Sequence, residues 1–433
     1  MSRQFASVVS WLAVVVVVAT AASFASAGDQ PADEDGFVSL FNGKDLDGWD
    51  GDPRLWSVVD GAIRGQTTEE NPAHGNTFCV WRGGKLKDFV LKIKFRIQNG
   101  NSGVQYRSRE FDKWRIGGYQ AEVENNPGKV GFLYDEAGRG WMVNVGDFMS
   151  VERADGNVQK NVVGKVADVA ALKEAGYYKM QDWNEYTITA RGNHLVHYLN
   201  GYPMIEMIDN DPEGRAMEGL LALQIHAGPP MVVEFKDIRL KQLQTRYGEA
   251  VRLFDGQSLD GWAFSSDAEK EAWSVKDGAL ATTGRPVGYI RAESDYTNFV
   301  LRMQVRHLKP GNGGVLLRAV GEDKVWPRSL EAQGATGSIG DIFSIDQFPI
   351  TAPPERTNGR HTRKAHDSNE KPLGQWNEYE IVLDGGELTL VVNGLVQNTA
   401  TGCWETAGKI GFQAEGVPME YRNIVLIPIV KQE

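Results

Sequence analysis

The chain has 433 residues, 41% of them hydrophobic and 24% charged, with a net charge of −11. That is enough apolar material for two or three cores, and it excludes a disordered chain. An acidic protein also lacks the basic surface that phosphate binding requires, so nucleic acid and anionic membranes are not expected partners.

At the N-terminus a weakly basic start is followed by the apolar run Trp11–Ala19, and Ala25-Ser26-Ala27 supplies small residues at the −3 and −1 positions of a cleavage site. The run is shorter than the roughly 20 residues needed to span a bilayer. This pattern predicts a signal peptide over 1–27, cut before Gly28, and an exported protein of the periplasm or the extracellular space. No Cys follows the run, so no lipid anchor is expected there, and no later segment reads as a membrane span.

From residue 36 onward the chain says nearly everything twice. FNGKDLDGW at 41 returns as FDGQSLDGW at 254, and Trp56-Ser57-Val58-Val59-Asp60-Gly61 returns as Trp273-Ser274-Val275-Lys276-Asp277-Gly278. Asp88-Phe89-Val90-Leu91 returns as Asn298-Phe299-Val300-Leu301, and Gly103-Val104-Gln105-Tyr106-Arg107 as Gly314-Val315-Leu316-Leu317-Arg318. Trp183-Asn184-Glu185-Tyr186 returns as Trp376-Asn377-Glu378-Tyr379, and Gln224 as Gln413. The order never breaks and the spacing drifts only by loop-sized insertions. This is a tandem duplication of about 200 residues, placed at 36–243 and 249–431. The joint at 244–248 is short, so the two copies are expected to touch.

Within each copy the strands follow from period-two alternation. Phe89-Val90-Leu91-Lys92-Ile93-Lys94-Phe95 alternates apolar and basic residues. Turn pairs such as Asp60-Gly61, Asn200-Gly201, Asp277-Gly278 and Asn393-Gly394 separate the strands. Only 167–175 reads as a helix. The fold class is therefore all-β, with a β-sandwich or jelly roll in each copy. The two cysteines, Cys79 and Cys403, lie in different copies. They read either as a bridge between copies or as two small buried hydrophobes.

Strand parity then groups the polar side chains. Gln105 and Arg107 share one face of their strand. Gln120, Glu122 and Glu124 share one face of the next, and Gln224 and His226 one face of a third. The copies align without a gap from Gly103 to Glu122. Arg107 therefore matches Arg318, Gln120 matches Glu331, and Glu122 matches Gln333; His226 corresponds to Glu415. Acid and amide have traded places. A plain solvated sheet face is one reading of these stripes. A built polar site is the other, because an unconstrained face has no reason to keep one acid and one amide at the same two positions.

These motifs carry a resemblance. LFNGKDLDGW, WSVVDGAI, SGVQYRS, GYQAEVEN with LYDE downstream, WNEYTITARGNHLVHYLNG and LQIHAGPPMVVEFKDIRL resemble the 3-keto-disaccharide hydrolase domain, and the second copy is similar through LFDGQSLDGW, SLEAQ with GDIF, and WNEYEIVLDGGELTLVVNG. The second copy departs further from the GYQAEVEN and LYDE pattern. The resemblance implies two tandem concanavalin A-like jelly-roll β-sandwich domains. Its activity would be cleavage of glycosides whose sugar is a ketone at C3, although the domain also occurs as an accessory module. An oligosaccharide or glycoside is the implied substrate, and some members are thought to use a divalent metal.

For such chemistry a base removes the C2 proton that the ketone acidifies, and a cation or amide meets the enolate. Parity and alignment assign Glu122 or His226 as base with Arg107 as cation in the first copy. In the second copy they assign Glu331 or Glu415 with Arg318. Gln105, Gln120, Gln224, Gln333, Asp341 and Gln413 are the expected substrate-binding residues, Asp341 being special to the second copy because it aligns with Phe132. Two other functions stay open. One is a non-catalytic, lectin-like protein whose Trp81, Trp114, Trp141 or Trp326 stacks on sugar. The other is an ordinary glycosidase using Glu122 and Glu124, about 6.5–7 Å apart along one strand.

No metal cage is evident among the seven His. His194 and His197 fall on opposite faces of a strand and read as poor co-ligands, with His194 as a turn residue. Asp209, Asp211 and Glu213 could hold calcium but lack the Gly and closing Glu of an EF-hand, so a solvated acidic loop is expected.

Overall fold

In Phe89–Gln98, Asn184–Arg191 and Asn377–Asp384 every second side chain is buried and its neighbour is half-exposed. Each of these strands therefore lies in a sheet with one face on a core. The computed structural model describes residues 36–264 and 266–430, so the apolar leader read at 1–27 lies outside the described residues. Among the described residues there are four sheets, two in each copy.

In the first copy a ten-stranded back sheet packs against a seven-stranded front sheet. The front order runs Gly140–Val143, Leu133–Glu136, Arg115–Glu124, Asn101–Asp112, Leu220–Ile225, Thr77–Trp81, Trp49–Asp50. In the second copy a nine-stranded back sheet packs against an eight-stranded front sheet built around Gly314–Val320, Arg328–Gln333, Ile342–Ile345 and Lys409–Ala414. One core holds Leu91, Phe95, Tyr106, Ala121, Val123, Tyr186 and Leu223; the other holds Leu301, Met303, Val315, Leu330, Tyr379 and Phe412. Cys79 and Cys403 are free thiols, each buried in its own core.

The turn chemistry accounts for the hairpins. Asp60-Gly61, Asn200-Gly201, Asp277-Gly278 and Asn393-Gly394 have positive φ at both residues, the type I′ geometry that matches strand twist. The repeated nonapeptide is a turn closed by its own side chain. Asn42 Oδ1 accepts from the Lys44 and Asp45 amides, and Asp255 Oδ1 accepts from Gln257 and Ser258. The helix predicted over 167–175 is Val169–Glu174, with the Asp168 carboxylate accepting from the Ala171 amide at its N-terminus.

The copies meet through the outer faces of their back sheets. Phe148, Val166, Ile208, Val300, Val425 and Ile427 form an apolar patch across the contact. Beside it lies a charged network: Arg191 pairs with Glu380 at 2.8 Å, while Arg302 reaches Tyr198 Oη at 3.0 Å, Glu380 at 3.2 Å and Glu206 at 3.7 Å. The joint itself is part of the second sandwich, since Arg246–Tyr247 pairs with Ile429 and Val430.

Candidate functional site

The site is the outer face of each front sheet. Residues directly opposite in an antiparallel pair point the same way, so the register defines rows of side chains on one face. In the first copy one row runs Val80, Ala222, Gln105, Gln120, Tyr134, Trp141. One step along, Gln224 sits opposite Phe78 and Glu122 sits opposite Gly103. In the second copy the matching row holds Gly411, Leu316, Glu331, Phe343 and His361, with Gln413 opposite Tyr289 and Gln333 opposite Gly314.

This face is not a plain solvated one. Glu122 is 3% exposed and Glu331 6%, and Gln105, Gln120, Gln224 and Gln413 are buried. In the first copy the side chains form a chain of hydrogen bonds. Ser108 Oγ donates to Gln105 Oε1 at 2.7 Å, and Gln105 Nε2 donates to Gln120 Oε1 at 2.9 Å. Gln120 Nε2 donates to Glu122 Oε2 at 2.8 Å and lies 3.3 Å from Gln224 Oε1. Asn101 Nδ2 donates to the other Glu122 oxygen and to Glu124 at 3.1 Å. Burial pushes the Glu122 carboxyl up to about 7 against the pull of the Gln120 and Asn101 hydrogen bonds.

In the second copy the carboxyl sits one row over. Burial, helped by the nearby Glu415 charge, pushes Glu331 up to about 7 against a hydrogen bond from Gln413 and the field of Arg360. Burial also raises Glu415, opposed by a hydrogen bond from Asn312 and by Arg360. Glycine makes room for this convergence. A Cβ at Gly314 would stand 2.7 Å from Gln413 Oε1 and 2.8 Å from Glu331 Oε1, and one at Gly103 would stand 2.3 Å from Gln120 Cδ. Both copies leave the same two amides unsatisfied. Asn101 Oδ1, Gln224 Nε2, Asn312 Oδ1 and Gln413 Oε1 are buried with no partner among the described residues. Each orphan costs about 1–3 kcal/mol, so an Asn and a Gln left short at matching places in both copies are a shared feature that packing alone does not account for.

Several expectations are corrected. Parity puts Gln105 and Arg107 together, but the ladder slips between Tyr106 and Arg109, and Arg107 has φ +47°. This bulge turns the guanidinium off the face. Its donors go to Lys87 O at 2.7 Å, Gly192 O at 2.6 Å and Asp88 Oδ1 at 3.0 Å. Arg318 repeats the bulge at φ +49° and donates to Thr297 O, Trp404 O, Gly385 O and Asn298 Oδ1. Both arginines clamp loops; neither lies beside the carboxyl it was assigned to. The cation whose field reaches Glu331 is Arg360, set over the Phe343 ring at 5.5 Å.

His226 lies past the end of its strand, exposed, with Nδ1 2.6 Å from Ala227 O, and among the described residues no hydrogen bond joins it to Glu122. Gln333 Oε1 accepts from the Gly334 and Ala335 amides at 2.7 and 2.9 Å, so it caps its own turn. Asp341 is buried, with Oδ2 2.7 Å from His361 Nε2 and Oδ1 accepting from the Lys364 amide at 2.8 Å. Trp81 is buried in the core and offers no ring to a sugar. Trp114 is half-buried, with Nε1 donating to Asp50, and Trp326 packs beside Tyr289 and Leu316. Trp141 is 46% exposed and stacks on Phe132 at 3.8 Å and 14°.

The acidic loop and the histidines do not make a metal site. Asp209 and Asp211 are fully buried rather than solvated, with Arg139 bonded to both and Arg153 to Asp211 at 2.7 Å. His194 is a buried strand residue rather than a turn residue, 2.7 Å from Glu206, while His197 faces the core against Tyr106 Oη at 2.8 Å. Among the described residues no three His, Cys, Asp or Glu side chains converge as metal ligands, so no step is routed through a divalent metal. Parity missed Asn101, Asn312, Phe343, Arg360 and His361. The first two lie two residues before the aligned Gly103 and Gly314; the others lie beyond the ungapped stretch.

Each sandwich carries amides around a buried carboxyl, Glu122 or Glu331, on the outer face of its front sheet, which makes the molecule a tandem jelly-roll protein with two candidate sites. The chain belongs to the family of the 3-keto-alpha-glucoside-1,2-lyase-like domain, whose profile matches residues 36–241 and 249–427. It is 31% identical over 154 residues to a 3-keto-disaccharide hydrolase of Bacteroides thetaiotaomicron, a match covering 31% of this chain and 53% of that protein. The chain thus spans about half the length of that curated relative. Among solved structures, a candidate glycosyl hydrolase of Parabacteroides distasonis is 21% identical with a TM-score of 0.33, covering 42% of this chain and 94% of its own. The carbohydrate-binding module CBM66 of Bacillus subtilis is 15% identical with a TM-score of 0.29, covering 45% of this chain and 95% of its own.

Proposed function

We propose that this protein is an exported enzyme that cleaves 3-keto-glycosides or 3-keto-disaccharides by base-assisted elimination and hydration. The observation that carries the reading is one buried, amide-lined carboxyl on each front-sheet floor, Glu122 and Glu331, each pushed up to about 7. A base whose pKa lies near neutrality combines a useful ionised fraction with real proton affinity. The carboxylate takes the C2 proton that the C3 ketone acidifies. The enolate closes to a C1–C2 double bond as the C1–O bond breaks, and water then adds back across that bond. The amide atoms left unpartnered on the floors suit a sugar: the acceptors Asn101 Oδ1, Asn312 Oδ1 and Gln413 Oε1 take hydroxyl donors, and Gln224 Nε2 is a donor for a ring oxygen or the ketone.

The test is turnover of 3-keto-trehalose and 3-keto-lactose beside the unoxidised sugars. Turnover of the keto sugars alone, lost in the double variant Glu122→Gln and Glu331→Gln, supports the reading. Unchanged turnover in that variant removes both carboxyls from the chemistry. Binding without turnover would favour the lectin-like alternative. Hydrolysis of the plain sugars would favour the paired-carboxylate one, for which Asn101 bridges Glu122 and Glu124 in the first copy while Gly334 and Ala335 follow Gln333 in the second. Export is checked by cell fractionation and N-terminal sequencing, with Gly28 as the expected first residue.

A further inference from the structure

At one pair of positions the two floors differ in kind. Phe132 and Asp341 occupy matching places, since the carbonyl of each accepts from the backbone amide of the aligned Glu122 or Gln333. Trp141 and His361 also match, each standing on the next strand opposite Tyr134 or Phe343. The first copy fills these positions with a stacked aromatic pair and the second with an acid and an imidazole. His361 lies flat on Phe343, with ring centroids 4.3 Å apart and planes within 3°. Its Nε2 is 2.7 Å from Asp341 Oδ2, while the side chain stays 34% exposed. Asp341 is buried, and its second oxygen is taken by the Lys364 amide.

A ring that only covered Phe343 would need no carboxylate fixed to its nitrogen; in the first copy the position of Asp341 is held by Phe132, on which Trp141 stacks with no carboxylate. A buried carboxylate fixed to one imidazole nitrogen sets the tautomer and the ring's orientation, which leaves the other nitrogen free for proton exchange with a ligand. Nδ1 has no hydrogen-bond partner among the described residues. Glu331 and His361 stand in one row two strands apart, about 10 Å between Cα atoms, with Phe343 between them, so both point to the same side of the sheet on either side of one aromatic ring.

We propose that His361 is the general acid of the second sandwich, held by Asp341 as a positioning residue, and that Glu331 is the base it works with. The proposal rests on the reading of the protein as an enzyme acting on 3-keto-glycosides. Glu331 takes the C2 proton and the C2–H electron pair forms the C1–C2 double bond. The C1–O bond breaks with its pair on the leaving oxygen, which takes the proton from His361 Nδ1. In the return half, neutral His361 takes a proton from the water that adds at C1, and Glu331 gives its proton to C2. Atoms and charge balance without any other reactant. The first sandwich, with Phe132 and Trp141 at these positions, has no such acid and is the binding copy.

The test uses the full chain with two substrates: a 3-keto-disaccharide, whose sugar alkoxide leaves poorly, and a 3-keto-glucoside with a 4-nitrophenyl group, which leaves without a proton. His361→Gln should lower kcat on the disaccharide about 100-fold or more, with a loss of about tenfold or less on the aryl substrate. Asp341→Asn should show the same selectivity at smaller amplitude, which a purely structural defect would not, because it would depress both substrates alike. Circular dichroism and a melting curve check folding; if His361→Gln does not fold, Asp341→Asn carries the test. Equal losses on both substrates, or none, would overturn the assignment while leaving the proposed activity standing. A wild-type protein inert on both keto substrates would overturn the activity, and this assignment with it.

Discussion

The two sandwiches share a frame and differ in where they keep charge. Both have the bulge with an arginine at φ +47° or +49°, the same loop carbonyl beneath it, and a half-buried Asn and a buried Gln, each with an orphaned amide atom. On that frame the first copy holds its carboxyl next to Gly103 and finishes the face with an exposed Trp. The second holds its carboxyl one row over, with Arg360 and Glu415 near it and the Asp341–His361 pair two strands away on the same face. The backbone lattice stays fixed while the chemistry moves between its points. A duplicated fold can therefore move its polar groups by exchanging side chains on the outer face of the front sheet, while its core also tolerates exchange, Tyr106 and Tyr119 being replaced by Leu317 and Leu330.

The comparison can be broken most sharply by activity. Glu331→Gln should lower kcat on a 3-keto-disaccharide by about 10²–10⁴-fold, whereas Glu122→Gln should lower it less than about tenfold. Equal losses would mean two working copies. Next in size is the arginine clamp. Arg107→Met leaves the buried Asp88 carboxylate unpaired and should cost about 3–5 kcal/mol. Arg318→Met leaves only carbonyls and the neutral Asn298 and should cost about 1–3 kcal/mol. Urea midpoints for the two variants decide it, and a larger loss at Arg318 would rule out charge as the difference.

The pH dependence should be the same in both copies. Each carboxyl titrates near 7 when folded and near 4.5 when unfolded. The folded state binds the proton more tightly, so this stability is fully present below pH 4.5 and is lost as pH rises through 7. The loss is at most about 3 kcal/mol for each group. Glu122→Gln and Glu331→Gln should each flatten the fall in urea midpoint between pH 5 and pH 8 by similar amounts; a slope unchanged by either would place that carboxyl's titration elsewhere. The smallest effect is expected at Trp141→Ala, which should weaken sugar binding to the first copy by about 1 kcal/mol in calorimetry and leave turnover alone.

Much of the fold was legible because repetition supplied its own alignment. Turn pairs, alternating strands and the ungapped stretch from Gly103 to Glu122 bring Gln105, Gln120, Glu122 and Gln224 to one face. Alternation failed at Arg107, since a residue with side-chain Cβ rather than glycine gives no local warning of positive φ. It failed again at Asp209, Asp211 and His194, whose partners Arg139, Arg153 and Glu206 come from other strands or turns. His361 was invisible for a different reason. It stands on a short hairpin strand, His361–Thr362, after a long connection that has no counterpart in the first copy, so no alignment pointed to it.

The joining of the two back sheets has a consequence for valency. With sheets about 10 Å apart, four layers hold the two front faces roughly 30 Å from each other and pointing in opposite directions. A disaccharide cannot touch both. A glycan long enough to wrap from one face to the other would have to turn around the edge of the molecule, whereas two separate glycans meet no such obstacle. The Arg302 and Arg191 network thus holds the two front faces back to back, so a ligand on one face and a ligand on the other are kept apart by the full thickness of the molecule.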